Sequence, residues 1–262
     1  MVSIPASCKG SSDLRYWSMF CVAAAGADSH GNGVFLGINE LLEQSSQPLI
    51  YAVLTGDIVN SSSLDPMVLK DILQLLSNGA ERFSEGYPGS VVGKLDTYGG
   101  DGWQLLMSNA GLSIRAALFL RAVVRSYNNP RIDTRIAIAC GTVNEYTLVP
   151  ERISQSTGEA FTESGRALKN MDKQHRMIIL HGEDFVQSGF SYSVTSLLDE
   201  LVRQWTSNQA ATISLALLGK KQEDIADIIN KSQPTVNKLL QRASWRGIEG
   251  FLEEREYRYQ RL

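Results

Sequence analysis

The stretch that decides the fold is "LTGDIVNSSS", residues 54–63. It begins at the end of the apolar run "LIYAVL", which is typical of a strand buried on both faces. The run passes into Gly56, Asp57 and Ile58, and the chain then becomes polar. A carboxylate at the end of a buried strand has two explanations, because aspartate either caps a following helix or binds a metal ion. The remaining sequence distinguishes the two.

The segments that follow alternate between helix and strand patterns. "MVLKDILQLLSNGAERF" has helical spacing of apolar residues, with Asp65 and Pro66 as N-cap and first-turn residue. "SVVGKLDTY" and "GWQLLMS" are strand patterns separated by Gly99, Gly100 and Asp101, which predicts a tight hairpin. A helix, a strand, a helix and a strand follow: "AGLSIRAALFLRAVVRSY", "DTRIAIACGTV", "GEAFTESGRALKNMD" and "HRMIILHG".

This order predicts an α+β protein with a ferredoxin-like (βαββαβ) sheet and helices packed on one face. In such a sheet the first strand and the hairpin strands are neighbours, so we expect Asp57 and Asp101 to converge. Two close carboxylates repel each other unless a cation lies between them. Mg²⁺ takes one or two carboxylates together with substrate phosphates. Gly56 and Gly100 would let the backbone approach a triphosphate closely.

Four of these segments resemble motifs of the class III nucleotidyl cyclases. "TGDIVNSS" is similar to the first metal motif of that family, and "YGGDGWQLLM" to the second, which also resembles the GGDEF diguanylate cyclases. "RIAIACGTV" corresponds to a family strand followed by glycine, and "STGEAFTESGRALKNM" to the helix that carries an Asn and an Arg facing the phosphates. The SatD-like proteins, which join a cyclase-like domain to a DNA-binding tail, resemble this organisation most.

The resemblance implies a role for individual residues. Asp57 and Asp101 would bind two Mg²⁺ (or Mn²⁺) ions, with the Ile58 carbonyl completing one coordination shell. Arg166 would stabilise charge on the leaving pyrophosphate and the reacting phosphoryl group. Thr162 stands where the family has Asn, and its shorter side chain departs from the family's ribose contact. The alternative for Arg166 is a solvated arginine on a helix.

The nucleotide-binding positions that select the base depart from the family pattern. Thr97 occupies the position of the adenine-selecting Lys, and Gln155 that of its partner Asp. Neither the pair of residues that selects adenine in the family nor the pair that selects guanine is present. Lys94, three residues away on the same predicted strand, does not replace the missing lysine. The identity of the base stays open, with cyclases that make cyclic pyrimidine nucleotides as one precedent.

The C-terminal segment "QEDIADIINKSQPTVNKLLQ" fits a helix-turn-helix. Ala226 fills the small position where two helices touch, Asn230 the left-handed turn position, and Val236 an apolar core position, with Ile225, Ile229 and Leu239 completing the core. Ser232 would cap the second helix, whose first turn contains Pro234. The DNA-binding residues predicted on this helix and just beyond it are Gln233, Thr235, Asn237, Lys238 and Arg242.

The charge of this segment favours weak DNA binding by a single copy. Residues 200–262 hold 10 Lys+Arg and 8 Asp+Glu, a net charge of +2. Affinity for DNA grows with the number of phosphates neutralised. Dimerisation through the cyclase-like region would supply a second copy. The alternative interpretation is a winged or trihelical dimerisation module.

Composition sets the remaining limits. The chain has 262 residues, of which 43% are hydrophobic, and a net charge of −3 that is too small to name a partner. Its three cysteines are far apart and have no CxxC spacing, so the sequence suggests neither a disulfide framework nor a zinc site. No apolar run approaches the roughly 20 residues that span a bilayer. The short apolar stretch after Arg15 only weakly resembles a signal peptide, and a cytoplasmic location is expected.

We therefore predict three regions. Residues 1–46 form a poorly ordered N-terminal extension, residues 47–195 a nucleotidyl cyclase-like domain, and residues 196–262 a helix-turn-helix domain. The predicted function is conversion of a nucleoside triphosphate to a cyclic nucleotide by a Mg²⁺-dependent homodimer. The alternative is a transcription regulator whose cyclase-like domain only senses a nucleotide or dimerises.

Overall fold

A computed structural model describes residues 49–129, 131–172, 174–180 and 189–259. Its strands are β1 (Tyr51–Ile58), β2 (Val91–Tyr98), β3 (Gly102–Met107), β4 (Thr134–Gly141) and β5 (Met177–Leu180). Its α-helices are α1 (Pro66–Gly86), α2 (Ser113–Arg125), α3 (Glu159–Asn170), α4 (Gly189–Arg203), α5 (Ser207–Leu217), α6 (Gln222–Ile228), α7 (Gln233–Arg242) and α8 (Trp245–Tyr259). The predicted N-terminal extension lies outside the described residues.

The strands form one five-stranded sheet in the order β2-β3-β1-β4-β5. Neighbours among β2, β3, β1 and β4 are antiparallel, whereas β5 runs parallel to β4. The predicted hairpin is confirmed, since β2 and β3 pair directly across the turn that contains Gly99, Gly100 and Asp101. The chain therefore has an α+β architecture in which β1 lies at the centre of the sheet.

Helices cover both faces of this sheet, so the prediction of helices on one face is wrong. On one face Leu54 and Ile58 belong to the core shared with α1 and α2. On the other face Val53 packs against Phe161 of α3. The physical reason lies in the strand itself, because an uninterrupted apolar run presents side chains to both faces and both must be buried.

The helix after β1 begins as its sequence predicts. Asp65 is the N-cap, and its carboxylate accepts a hydrogen bond from Met67 N at 2.8 Å, with Pro66 in the first turn. The buried face of α1 consists of Ile72, Leu76, Gly79, Ala80 and Phe83. Asp65 therefore satisfies one of the unpaired N–H donors of the first turn, and Asp57 is not the cap of this helix.

The C-terminal helices belong to the same compact unit, which comprises Leu49–Leu262. Helix α5 packs against α2, and every residue of α2 is buried. Helix α8 is attached by a bidentate ion pair in which Arg115 Nε and Nη2 donate to Glu256 at 2.7 and 3.0 Å. The predicted boundary at 195/196 falls inside α4. The division into domains stays a prediction.

A buried ion network joins α2 to β4 and α4. Arg121, which is fully buried, donates to both oxygens of Asp133 at 2.9 Å and to Asp199 at 2.6 Å. Arg125 adds a contact of 3.2 Å to Asp133 and donates to the Trp205 carbonyl at 2.9 Å. The opposing charges hold the pKa of Asp133 below its ordinary value despite its burial. The network fixes the loop that leads into β4.

The last three helices bury side chains that belong to the main hydrophobic core. Ile225, Ala226 and Val236 are buried, as the sequence predicts, and Asn230 has a positive φ of 51° in the turn between α6 and α7. Leu239 was expected in this core, but Leu240 is the buried residue. The turn of the helix places Leu239 at the side, where it is half-buried. Ser232 stands at the N-cap of α7, but its hydroxyl pairs with the Thr235 hydroxyl at 2.9 Å rather than with a backbone N–H. Trp103 and Trp205 are core residues.

Within the described ranges, none of the helices has the length and apolarity that crossing a bilayer requires.

Candidate functional site

The ends of four strands meet at one edge of the sheet and form a cleft of about 370 Å³. Strand β1 ends there, and β3 and β4, which are antiparallel to it, begin there. Strand β5 also begins at this edge because it is parallel to β4. The cleft is lined by Asp57, Ile58, Val59, Asn60, Ser61, Ser62, Asp101, Arg135 and Arg176. The predicted convergence of Asp57 and Asp101 is therefore present in the fold.

The first of these carboxylates, Asp57, forms an ion pair with Arg135. Arg135 lies directly opposite Asp57 in the β1–β4 register. Its Nε donates to Asp57 Oδ1 at 2.8 Å, and its Nη2 donates to Asp57 Oδ2. The bond to Asp57 and the nearby charge of Asp101 raise the pKa of Arg135. A planar guanidinium held beside two carboxylates is thus a permanent cation in the cleft.

The second carboxylate is oriented by the loop that follows β1. Ser61 Oγ donates a hydrogen bond to Asp101 Oδ2. Asn60, with a φ of 54°, turns the chain so that Ser61 faces the hairpin. On the hairpin side, Gly99 and Gly100 have φ of 62° and 100°, a region that glycine adopts without strain. The two loops therefore approach each other through Ser61 and Asp101.

A buried hydrogen-bond chain supports the backbone of Asp57 from below. Trp103 Nε1 donates to Thr134 Oγ1 at 3.0 Å, and Thr134 Oγ1 donates to the Asp57 carbonyl at 2.7 Å. A Cβ on Gly56 would lie 2.4 Å from the Trp103 ring and 2.6 Å from the Arg135 carbonyl. Gly56 is therefore required by close packing of the sheet beneath the cleft, a reason that the sequence did not reveal.

Tyr98, at the end of β2, lies close to both carboxylates. Burial raises the pKa of its phenol, and the charges of Asp57 and Asp101 add to the shift. Its ring folds over Gly102, where an added Cβ would come within 2.9 Å of Tyr98 Cε2. The phenol consequently stays protonated at neutral pH and can act as a hydrogen-bond donor or acceptor in the neighbourhood of the two carboxylates.

The donor set fits a hard divalent cation that arrives with phosphates. Asp57 and Asp101 place carboxylate oxygens on one cleft, and Mg²⁺ characteristically binds through one or two carboxylates plus substrate phosphates. In the described ranges, no three His, Cys, Asp or Glu side chains come together as a metal cluster. Arg135 competes for Asp57, so a cation there requires the guanidinium to move, and phosphate oxygens are its natural new partner.

The structure does not bring Arg166 or Thr162 into this cleft. Both lie on the exposed face of α3, on the helix that covers the other face of the sheet. Arg166 Nη1 pairs with Glu163 Oε1 at 2.7 Å, and its side chain is 62% exposed. Thr162 Oγ1 donates back to the Gly158 carbonyl at 3.0 Å. One chain therefore presents the carboxylates and Arg166 at separate places.

The two segments predicted to select a base lie against each other. Asp96 accepts hydrogen bonds from Ser154 N at 3.1 Å and from Ser154 Oγ, which fastens the 3₁₀ turn Ile153–Gln155 to β2. Thr97 follows Asp96 in the chain and Gln155 follows Ser154, and both Thr97 and Gln155 are exposed. They do not line the cleft that holds Asp57.

Arg135 and Ser61 are site residues that the sequence analysis missed. A signal for Arg135 was available, because antiparallel pairing places the beginning of β4 beside the end of β1. Ser61 gave no such signal, since its contact with Asp101 depends on how two loops bend in three dimensions.

The residues predicted to contact DNA are all exposed on or near α7. Gln233, Thr235, Asn237 and Lys238 lie along this helix, and Arg242 is its last residue. Val236 and Leu240 are the buried residues of this helix, whereas all five predicted DNA-contacting side chains are exposed. This arrangement leaves the polar side chains accessible to a partner.

Comparison with known proteins gives distant structural neighbours. Neither a protein-family model nor a curated protein sequence matches the chain. The guanylyl cyclase Cya2 is similar at 15% identity and a TM-score of 0.37, over 51% of this chain and 75% of that one. Two structures of a bacterial light-regulated adenylyl cyclase have 12% and 13% identity and TM-scores of 0.36. This chain covers 57% and 58% of them. A likeness at these scores carries no information about chemistry.

Proposed function

We propose that the chain is a Mg²⁺- or Mn²⁺-dependent nucleotidyl cyclase that acts on a nucleoside triphosphate. The observation that carries the proposal is the cleft in which Asp57, Asp101 and Arg135 meet at the ends of neighbouring strands. Asp57, Asp101 and the Ile58 carbonyl would hold the metal, which when bound lowers the pKa of the ribose 3′-hydroxyl and neutralises phosphate charge. The proposal includes the ferredoxin-like arrangement of the sheet and the assignment of the two segments around Asp57 and Asp101 as metal-binding motifs.

Arg135 binds the triphosphate in this proposal. Its guanidinium already lies beside Asp57 as a fixed cation, and guanidinium groups bind phosphate through two parallel hydrogen bonds. Moving from the carboxylate to the phosphates releases Asp57 for the metal. Ser61 holds Asp101 in place. Metal and nucleotide therefore bind together rather than one before the other.

A second copy of the chain completes the site. Arg166 and Thr162 are exposed on α3, away from the carboxylates of their own chain. In a homodimer with two equivalent sites, Arg166 of one protomer would face the cleft of the other. Mixing Asp57→Asn protein with Arg166→Ala protein tests this arrangement. Activity in the mixture, with none in either variant alone, is the expected result; an inactive mixture of folded variants that do associate contradicts it.

Incubation of the purified protein with each of the four nucleoside triphosphates and Mg²⁺ or Mn²⁺ tests the activity. The expected products are pyrophosphate and one cyclic nucleotide. Asp101→Asn should abolish both products, whereas Asp71→Asn, an exposed aspartate on α1 outside the cleft, should not. Absence of cyclic product from all four triphosphates removes the enzymatic proposal.

The second candidate function is a DNA-binding transcription regulator whose cyclase-like part senses a nucleotide or dimerises. Two observations favour it: the exposed polar face of α7, and Thr97, Gln155 and Thr162 at positions where the family contacts substrate. A helix-turn-helix reading of α6 and α7 assigns base contacts to Gln233 and Asn237 and phosphate contacts to Lys238 and Arg242.

Titration of the full chain against genomic DNA pools at two salt concentrations tests this candidate. Lys238→Ala should weaken binding to every duplex and lower the salt slope by about one, and Asn237→Ala should cost roughly 1–3 kcal/mol on the cognate site only. Protein that shows no salt-dependent binding at low ionic strength would leave the C-terminal helices as an assembly module.

A further inference from the structure

A second cleft, of about 450 Å³, lies among the C-terminal helices and is distinct from the one that holds Asp57. Its walls come from the connection between α5 and α6, from α7 and from the beginning of α8. Gly219, with a φ of 73°, turns the chain at the end of α5 and leads into Lys220 and Lys221. The size of the cleft matches pockets that hold one small ligand.

Three cations, Lys220, Lys221 and Arg246, line this cleft. Lys220, Lys221 and Arg246 are exposed, and among the described residues no side-chain hydrogen bond or ion pair engages them. Glu249 supplies the one carboxylate of the lining. The local charge is therefore positive in a chain whose net charge is −3. Unpaired cations gathered in a concavity attract an anion, because the low-dielectric walls concentrate their field.

The floor of the cleft is apolar. Ile225 and Leu240 are buried core residues, and Trp245 contributes a half-buried indole to the lining. An indole beside apolar side chains offers a surface on which a planar ring stacks, and base–aromatic stacking is favourable for every base. The cleft thus combines an anion-binding rim with a surface for a flat ring.

We propose that this cleft binds a mononucleotide. Lys220, Lys221 and Arg246 bind the phosphate, and Trp245 contacts the base. Glu249 accepts hydrogen bonds from the ribose hydroxyls or from an exocyclic amine, which distinguishes a nucleotide from inorganic phosphate. The proposal does not depend on nucleotide binding at the edge of the sheet.

The concavity favours a small ligand over the DNA backbone as the occupant. Phosphates of a duplex are contacted by cations that project from a surface and need no apolar floor. Here the three cations line one concavity together with the buried Ile225 and Leu240 and the indole of Trp245. A single nucleotide uses all of these features at once.

The test is calorimetric and fluorescence titration of the full chain carrying Asp57→Asn and Asp101→Asn, which excludes metal-dependent binding at the sheet edge. The probes are the four 5′-mononucleotides, their 3′,5′-cyclic forms and inorganic phosphate. We expect one nucleotide per chain, weaker binding of inorganic phosphate, and a change in tryptophan emission that Trp245→Phe removes. Lys220→Ala/Lys221→Ala and Arg246→Ala should each weaken binding by about tenfold or more.

Lys231→Ala is the matched control, because Lys231 is an exposed lysine in the α6–α7 turn that does not line the cleft. Its affinity should equal that of the parent chain, and circular dichroism should show all variants folded. Two results overturn the proposal: no nucleotide binds at millimolar concentration, or binding is indifferent to the substitutions at Lys220, Lys221 and Arg246. Loss of duplex DNA binding in these variants, without any mononucleotide binding in the parent chain, assigns the cations to DNA and also overturns it.

Discussion

Asp57 and Arg135 face each other across the antiparallel β1–β4 pair, and Arg135 Nε donates to Asp57 Oδ1 at 2.8 Å. The carboxylate proposed to hold a metal ion is thus neutralised by an arginine of the same sheet. Its side chain is 20% exposed and that of Arg135 is 28% exposed, so the pair can open without unfolding the strand. In the proposed mechanism Arg135 pairs with the Asp57 carboxylate when the cleft is empty and with a phosphate when nucleotide is bound. The arginine therefore has a role in both states.

Substitution of Arg135 separates metal binding from nucleotide binding. Arg135→Ala removes the phosphate partner and releases Asp57. Affinity for nucleoside triphosphate should fall by about tenfold or more, while affinity for Mn²⁺ alone should rise. Mn²⁺ titration followed by electron paramagnetic resonance, with and without nucleotide, measures both effects. Arg131→Ala, which changes an exposed arginine in the loop that leads into β4, is the control and should change neither. An unaltered triphosphate affinity in Arg135→Ala contradicts the assigned role.

A methyl group at Gly56 should disturb the floor of the cleft. Gly56→Ala would place Cβ 2.4 Å from the Trp103 ring, and this ring is fully buried and cannot yield. The expected loss in free energy of unfolding is about 1–3 kcal/mol. Gly250→Ala in α8 is the matched control, because nothing lies within 4 Å of that position. It should stabilise the protein by roughly 0.5–1 kcal/mol, since alanine favours helix. Urea denaturation measures both; equal behaviour of the two variants would show that Gly56 is not packed as described.

Loss of Arg121 should be among the most destabilising single changes. Arg121→Ala leaves Asp133 and Asp199 buried without their main counter-ion. Breaking a buried pair in this way costs about 3–5 kcal/mol, because an uncompensated charge remains in the interior. Chemical denaturation of Arg121→Ala against Arg131→Ala provides the comparison. A difference below about 1 kcal/mol would mean that the carboxylates find other partners.

The stability of the chain should decline in alkaline solution through Cys140. Burial raises the pKa of this thiol to about 11 from an ordinary value of 9.0. A raised pKa means that the folded chain holds the proton more tightly than the unfolded chain. This contribution is complete below pH 9 and is lost as the pH rises toward 11. Cys140→Ala should flatten this part of a stability–pH curve measured by urea denaturation between pH 8 and 11; an identical slope in the variant contradicts the assignment.

The burial of Cys140 also predicts that its thiol is protected from alkylation in the folded chain. In a Cys8→Ser/Cys21→Ser variant, Cys140 is the sole cysteine, and the thiolate is the reactive form. Iodoacetamide at pH 8 should modify it only after unfolding with urea, as followed by mass spectrometry. Rapid modification of the folded variant would show that the thiol is accessible.

The sequence by itself determined the elements and the positions of the two carboxylates. An uninterrupted apolar run, a Gly-Gly-Asp hairpin and helical stripes have local causes, namely side-chain periodicity and turn geometry. They placed Asp57 and Asp101 at the ends of strands that the fold brings together. The left-handed Asn230 and the buried Val236 were predictable for the same reason.

Only the tertiary structure decided what surrounds those carboxylates. Arg135 reaches Asp57 through strand pairing, Ser61 reaches Asp101 through the bend of two loops, and Gly56 is required by an indole from a neighbouring strand. The placement of α3 on the second face of the sheet separated Arg166 from the cleft. Each of these contacts joins residues far apart in the chain, and a local pattern carries no record of the loop closures that bring them together.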